Sequence, residues 1–169
     1  SPLVIGVSSA LDTSLLPGDE AAARDPFAAL ALFDVDPASP EYGERIPFVG
    51  RFRTDVNQLG QVDHAITLFP SIAFRPRGRY ALVVTRRLFA AGAAGRPLQP
   101  SDFFARAAGP PVGGEPPAVS KAPESLAAVL DFLETVPAVP IAREDVALAL
   151  RLSIRSDDDI PRDLQYIKE

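Results

Sequence analysis

Proline occurs so often along this chain that little room is left for long helices. The 169 residues include 18 prolines and 11 glycines, which separate short apolar runs from one another. Proline lacks the N–H group that a helix interior or a central strand requires, and glycine favours turns. The spacing therefore predicts many short strands joined by turns, which is typical of an all-β fold.

Alternation of apolar residues marks the predicted strands. The clearest run comes last, where Val146, Leu148, Leu150, Leu152 and Ile154 alternate with small or charged residues. Its apolar face is expected to be buried against another sheet. The other strands are predicted near residues 2–7, 29–33, 46–53, 62–69 and 80–85, with an alanine-rich helical turn before the second of them.

A segment rich in proline and glycine precedes the best predicted helix. Residues from about 109 to 122 predict an irregular linker. Pro123 suits a first helical position, and the apolar residues after it recur at helical spacing, which predicts an inserted helix over about 123–134. Ser101 predicts the N-cap of a shorter helix. We expect these one or two short helices to lie on an edge or end of the β-structure.

Composition excludes several kinds of site. The chain has no cysteine, so a disulfide framework, a zinc–thiolate centre and a cysteine nucleophile are excluded. The net charge of −5 argues against nucleic-acid binding, although five arginines cluster between Arg75 and Arg87. No run approaches the roughly 20 apolar residues that span a bilayer. At 18.0 kDa, residues 1–169 suit a single domain with its own core.

The segment from Phe74 to Thr85 combines a turn with a strand. Pro76 fixes its own φ angle, Gly78 is free to adopt a positive φ, and Tyr80 opens a run with two alternating faces. This segment resembles the tyrosine corner of immunoglobulin-like and fibronectin-type domains, in which a Tyr hydroxyl forms a hydrogen bond with the backbone a few residues upstream. The resemblance implies an immunoglobulin/fibronectin-like β-sandwich.

Three separated stretches carry a second resemblance. They are LFDVDPASP at 32–40 with GERIP at 43–47, residues 76–85 with GRPLQPS at 95–101, and residues 139–146 with 150–156. Together they resemble the N-terminal, immunoglobulin-like region found before the α/β-hydrolase domain in some exported bacterial lipases and esterases. Where such proteins carry an aromatic-Thr-Thr strand, this chain has Leu152-Ser153-Ile154. The resemblance implies an accessory region of a periplasmic or extracellular protein, whose nucleophile lies downstream.

The residues themselves do not predict a catalytic site. There is no Gly-x-Ser-x-Gly turn, and His64 is the only histidine that could act as a base. We therefore expect His64 to be structural and the chain to be no enzyme. Asp34 and Asp36 are candidate calcium ligands because carboxylates are hard oxygen donors, but their spacing is equally typical of an Asx turn. No other cofactor is predicted.

Several large apolar side chains form a candidate interaction surface. They have two possible uses, which are to cover the chain's own sheet, the preferred interpretation, or to dock onto a partner domain. The residues concerned are Phe89, Phe103, Phe104, Leu126, Leu130 and Leu133.

Three functional hypotheses remain. The preferred one is a non-catalytic structural or protein-interaction domain of an exported bacterial protein, with another protein domain or subunit as its partner. The alternatives are the N-terminal accessory domain of a secreted esterase or lipase, and a periplasmic subunit of a membrane-associated complex. Because the sequence has no methionine, Ser1 is expected to be a processed N-terminus or an artificial or internal boundary of a longer chain.

Overall fold

Six strands and three helices make up most of the regular structure. The computed structural model describes residues 2–56, 58–92, 96–109 and 117–155. The elements in chain order are β1 (Leu3–Val7), α1 (Glu20–Arg24), β2 (Leu30–Asp34), β3 (Phe48–Val56), β4 (Val62–Pro70), β5 (Arg79–Thr85), α2 (Asp102–Ala108), α3 (Pro117–Thr135) and β6 (Val146–Ser153). Short 3-10 turns occur at Thr13–Leu15 and Arg143–Asp145.

The strands form two antiparallel sheets of three strands each. The strand order is β1–β4–β3 in the first sheet and β2–β5–β6 in the second. Within the described residues, β1 and β6 therefore each have a strand on one side only. The prediction of a β-rich fold is confirmed at this level, and each of the six predicted strands is present within a few residues of its expected bounds.

The two sheets share one apolar core. Ile66 and Leu68 of the first sheet and Leu32 and Leu82 of the second belong to the same buried cluster, and each is at most 2% exposed. The alternation of side chains along each strand directs these residues to one face. Burial of this shared face is the main favourable contribution to the stability of the two sheets.

The second sheet is packed on both faces, because α2 and α3 cover much of the face that points away from the first sheet. Ala31, Ala81 and Ala149 belong, with Leu130 and Leu133 of α3, to a second buried cluster. The cluster includes residues of all three strands, so the prediction that the helix lies on an edge or end is wrong. Small side chains on this face of the sheet let the helix approach closely.

Helix α3 begins earlier than the sequence predicts. Its first residue is Pro117 and its last is Thr135, so it is 19 residues long and begins inside the linker predicted over 109–122. Proline suits a first helical turn, and Pro117 satisfies that rule as well as Pro123 does. Residues 110–116 of the predicted linker lie outside the described part of the chain. The end of the helix agrees with the prediction from the prolines that follow it.

The tyrosine segment has the hydrogen bond that the sequence predicts. The hydroxyl of Tyr80 accepts a hydrogen bond from the backbone N–H of Arg75 at 2.9 Å. The positive φ lies at Arg77 (61°) and not at Gly78, so that detail of the prediction is wrong. Gly78 is needed for space, because a Cβ there would lie 2.9 Å from the Arg75 carbonyl oxygen and from the Tyr80 ring.

Candidate interaction site

An apolar cleft of about 430 Å³ opens between β1, an outer strand of the first sheet, and β6, an outer strand of the second. The cleft is lined by residues 5–8, which lie in β1 or directly after it, and by residues 147 and 148 of β6. Because side chains alternate along a strand, a cavity lined by consecutive residues borders the edge of that strand. Ile66 and Val84, from the middle strands of the two sheets, and residues 98–101 complete the lining. The cleft therefore reaches the shared core between two strand edges that no other strand of the described residues pairs with.

The backbone of β6 presents hydrogen-bonding groups along its open side. The N–H of Ile154 donates to the carbonyl of Gly78 at 3.0 Å, and the register that follows pairs Tyr80 with Leu152 and Leu82 with Leu150. In an antiparallel ladder the residues that bond to the neighbouring strand alternate with residues that face away from it. The N–H and C=O groups of Ala149, Arg151 and Ser153 therefore face away from β5, towards the open side of β6.

The apolar face of the second sheet is incompletely covered at β6. Leu82 and Leu150 are direct partners in the ladder and point to the same face of the sheet, yet Leu82 is 2% exposed and Leu150 is 41% exposed. Leu148 and Leu152 on either side are partly buried against the shared core. An extended segment beside β6 would hydrogen-bond to the open edge and cover these leucines with every second side chain.

Asp34, a predicted calcium ligand, is fully buried and already bonded. Its Oδ1 accepts from the backbone N–H of Asp36 at 2.9 Å, and its Oδ2 accepts from the Ser39 hydroxyl and from Arg75 Nη2, both at 2.7 Å. Asp36 Oδ1 accepts from the N–H of Ala38 at 3.1 Å. These are Asx-turn contacts, and no group of three or more metal-binding side chains occurs among the described residues.

His64 pairs with residues of the neighbouring strand. Its Nδ1 lies 3.0 Å from the Thr54 hydroxyl, and its ring stacks on Phe52 with 5.7 Å between centroids. In the part of the chain that the structure describes, no carboxylate is hydrogen-bonded to His64. The contacts of His64 are those of a cross-strand structural residue.

The predicted interaction surface is largely internal. Phe104, Leu130 and Leu133 are 6%, 2% and 0% exposed within the layer between the helices and the second sheet, so their assignment to an interaction surface is wrong. Leu126 is partly buried against the same layer, and Phe89 is half-buried. Only Phe103, at 55% exposure, is available to a partner among these six. The preferred interpretation, that these side chains cover the chain's own sheet, applies to the buried residues.

In the described ranges of the chain, no helix covers the outer face of the first sheet. Val4 and Phe69 point outwards there with 60% and 43% exposure, and Arg51 lies over the Phe69 ring at 5.9 Å. At the end of the β3–β4 hairpin, the paired residues Val56 and Val62 are 69% and 56% exposed. Val56 and Val62 point to the other face of the sheet, the one that carries Ile66 and Leu68.

Sequence reasoning identified the strands but not the cleft between them. Leu150 belongs to a strand whose alternation predicts complete burial, and the alternation alone does not show that β6 is an edge strand. The identity of the edge strands follows from the order in which distant segments pair, which is visible only in the structure.

Comparisons of the chain with protein-family models, with curated proteins and with solved structures found no match. Among the described residues, no helix combines the length and the apolar character needed to cross a membrane.

Proposed function

We propose that this chain is a non-catalytic, immunoglobulin-like interaction domain of an exported bacterial protein, and that it binds an extended segment of a partner domain between β1 and β6. The observation that carries the proposal is the apolar cleft between two open strand edges. Such edges bind peptides by strand addition, in which main-chain hydrogen bonds supply affinity and alternate side chains supply specificity.

The order of the strands supports the immunoglobulin-like part of the proposal. The seven-stranded immunoglobulin domain has one sheet in the order A–B–E–D and a second formed by C, F and G. If β1 to β6 are equated with B to G, the observed orders become B–E–D and C–F–G. Tyr80 then opens strand F, where a tyrosine corner belongs.

The same correspondence supports the proposed binding mode. The strand without an equivalent is A, which neighbours B in the immunoglobulin order. In this chain that position lies beside β1, where the cleft opens. A segment bound between β1 and β6 would lie beside this position, which no strand of the described residues fills, while it hydrogen-bonds to the open edge of β6 and completes the cover of the shared core.

Hydrogen exchange of the β6 amides tests this function. The protein isolated from its native source is compared with the 169-residue chain alone. We expect the outward amides of Ala149, Arg151 and Ser153 to exchange rapidly in the isolated chain and to become protected in the native protein. The inward amides of Leu150 and Leu152 are the internal control, since they bond to β5 in both samples. Equal, rapid exchange of the outward amides in both samples would refute strand addition.

The resemblance to regions that precede hydrolase domains favours one particular partner, a catalytic domain in the same polypeptide. The intact mass of the native protein distinguishes this partner from a separate subunit. A mass far above 18.0 kDa supports the accessory-domain interpretation, and ester cleavage by the remaining part would then be assayed. A mass near 18.0 kDa excludes it and supports a dedicated binding subunit.

A further inference from the structure

A small cavity on the helix-covered side of the second sheet is lined by two exposed arginines that have no partner among the described residues. The cavity has a volume of about 220 Å³, and Arg79 of β5 and Arg151 of β6 line it. Neither guanidinium has a hydrogen bond or ion pair in the described part of the chain. The nearby carboxylates of Asp36 and Asp131 are engaged elsewhere, with the N–H of Ala38 and with Arg143.

The register of the sheet holds the two arginines on the same face. Arg79 is opposite Ser153 and Ala81 is opposite Arg151, so the arginines are diagonal neighbours on adjacent strands. Diagonal neighbours of this kind lie within reach of each other's long side chains, and like charges so placed repel. An anion bound between them would remove the repulsion and accept charge-assisted hydrogen bonds from both guanidinium groups.

The rest of the cavity wall is apolar or aromatic. It is formed by Val35, Pro37 and Tyr42 and, from α3, by Ala128, Val129 and Phe132. The Tyr42 and Phe132 rings meet edge to face, with 5.6 Å between centroids. These walls favour an anion that is attached to an apolar group over a free inorganic ion.

The size of the cavity and the net charge of the chain further limit the class of ligand that could bind. A volume of about 220 Å³ is below the roughly 300 Å³ at which pockets for larger organic ligands begin, so it suits one small group. The net charge of −5 repels polyanions such as nucleic acids and anionic membranes. We propose that Arg79 and Arg151 bind a single carboxylate that is carried on an aromatic or aliphatic group, either a free organic acid or the C-terminus of a polypeptide.

Titration followed by NMR tests this site in the 169-residue chain. Sodium benzoate represents a free acid and N-acetylphenylalanine represents a polypeptide C-terminus. We expect at least one of them to shift the Arg79 and Arg151 Nε–Hε signals and the Tyr42 ring signals, and the tighter of the two identifies the source of the carboxylate. Benzamide, which has the same ring without the charge, should shift none of these signals.

Matched arginine variants establish which residues bind. Arg79→Gln and Arg151→Gln should each weaken binding about tenfold or more, because each removes a charge-assisted hydrogen bond. Arg53→Gln is the control, since Arg53 is exposed on the other sheet and paired with Asp55. Absence of binding, equal loss in the control, or tighter binding of inorganic phosphate than of either carboxylate would overturn the proposal.

Discussion

Tyr80 connects a strand to the turn before it through a single hydroxyl group. The ring is 2% exposed and contacts Phe74, with 4.5 Å between centroids, while the hydroxyl accepts the Arg75 N–H. Replacing Tyr80 by Phe keeps the ring and leaves this N–H without its acceptor. We expect Tyr80→Phe to lower the free energy of unfolding by about 1–2 kcal/mol, measured from the urea midpoint at an unchanged slope.

Tyr42→Phe is the matched control, because the Tyr42 hydroxyl has no hydrogen bond within the described residues and the residue is 41% exposed. A loss of stability of the same size in both variants would contradict the role assigned to the Tyr80 hydroxyl.

At single residues, contacts set by local geometry are predictable from the sequence. The resemblance of residues 74–85 to a tyrosine corner predicts the hydrogen bond, and the turn and the strand that form it are contiguous in sequence. It did not predict that Asp34 would bond to Arg75, which is 41 positions away. That contact depends on the pairing of β2 with β5, and pairing between distant strands is not encoded in the local pattern.

Helix α3 acts as the cover of the second sheet. Leu133 is fully buried against this sheet, and Phe103 of α2 is 55% exposed beside the same layer. Leu133→Ala removes buried methyl groups and leaves a cavity, so we expect it to lower the free energy of unfolding by about 3 kcal/mol. Phe103→Ser should change it by about 0.5 kcal/mol or less. Both values come from denaturant unfolding.

A small effect of Leu133→Ala would contradict the helical cover and would return this leucine to the candidates for partner binding. The position of the helix could not be predicted from its own periodicity, which indicates an apolar face but not the surface that it contacts. The strand sequences do indicate that a second layer covers this sheet. Runs such as Ala31-Leu32-Phe33 and Ala81-Leu82-Val83 are apolar on both faces, which is typical of a strand buried on both sides.

The two sheets are covered unequally, since among the described residues helices pack on the outer face of the second sheet and on the outer face of the first there are none. The exposed pair Val56 and Val62 lies at the end of the β3–β4 hairpin, on the same face as Ile66 and Leu68 but beyond the buried part of that face. Replacing both by threonine keeps the β-branched shape and adds hydroxyl groups. We expect the double variant Val56→Thr, Val62→Thr to self-associate less at high concentration in analytical ultracentrifugation, with its thermal midpoint nearly unchanged.

Phe27→Ser provides the comparison for this variant, because Phe27 is similarly exposed at 62% but lies under the Arg87 guanidinium, away from the hairpin. Equal self-association of the double variant and the unaltered chain would show that the exposed end of the hairpin does not drive self-association.

The order in which the strands pair also has a kinetic consequence. Of the four ladders in the described residues, only β3–β4 joins strands that follow one another closely, whereas β1–β4, β2–β5 and β5–β6 join segments far apart in sequence. Each distant ladder requires a long loop to close before its contacts contribute any stability. The chain should therefore fold over milliseconds to seconds, with the β3–β4 hairpin as its earliest native structure.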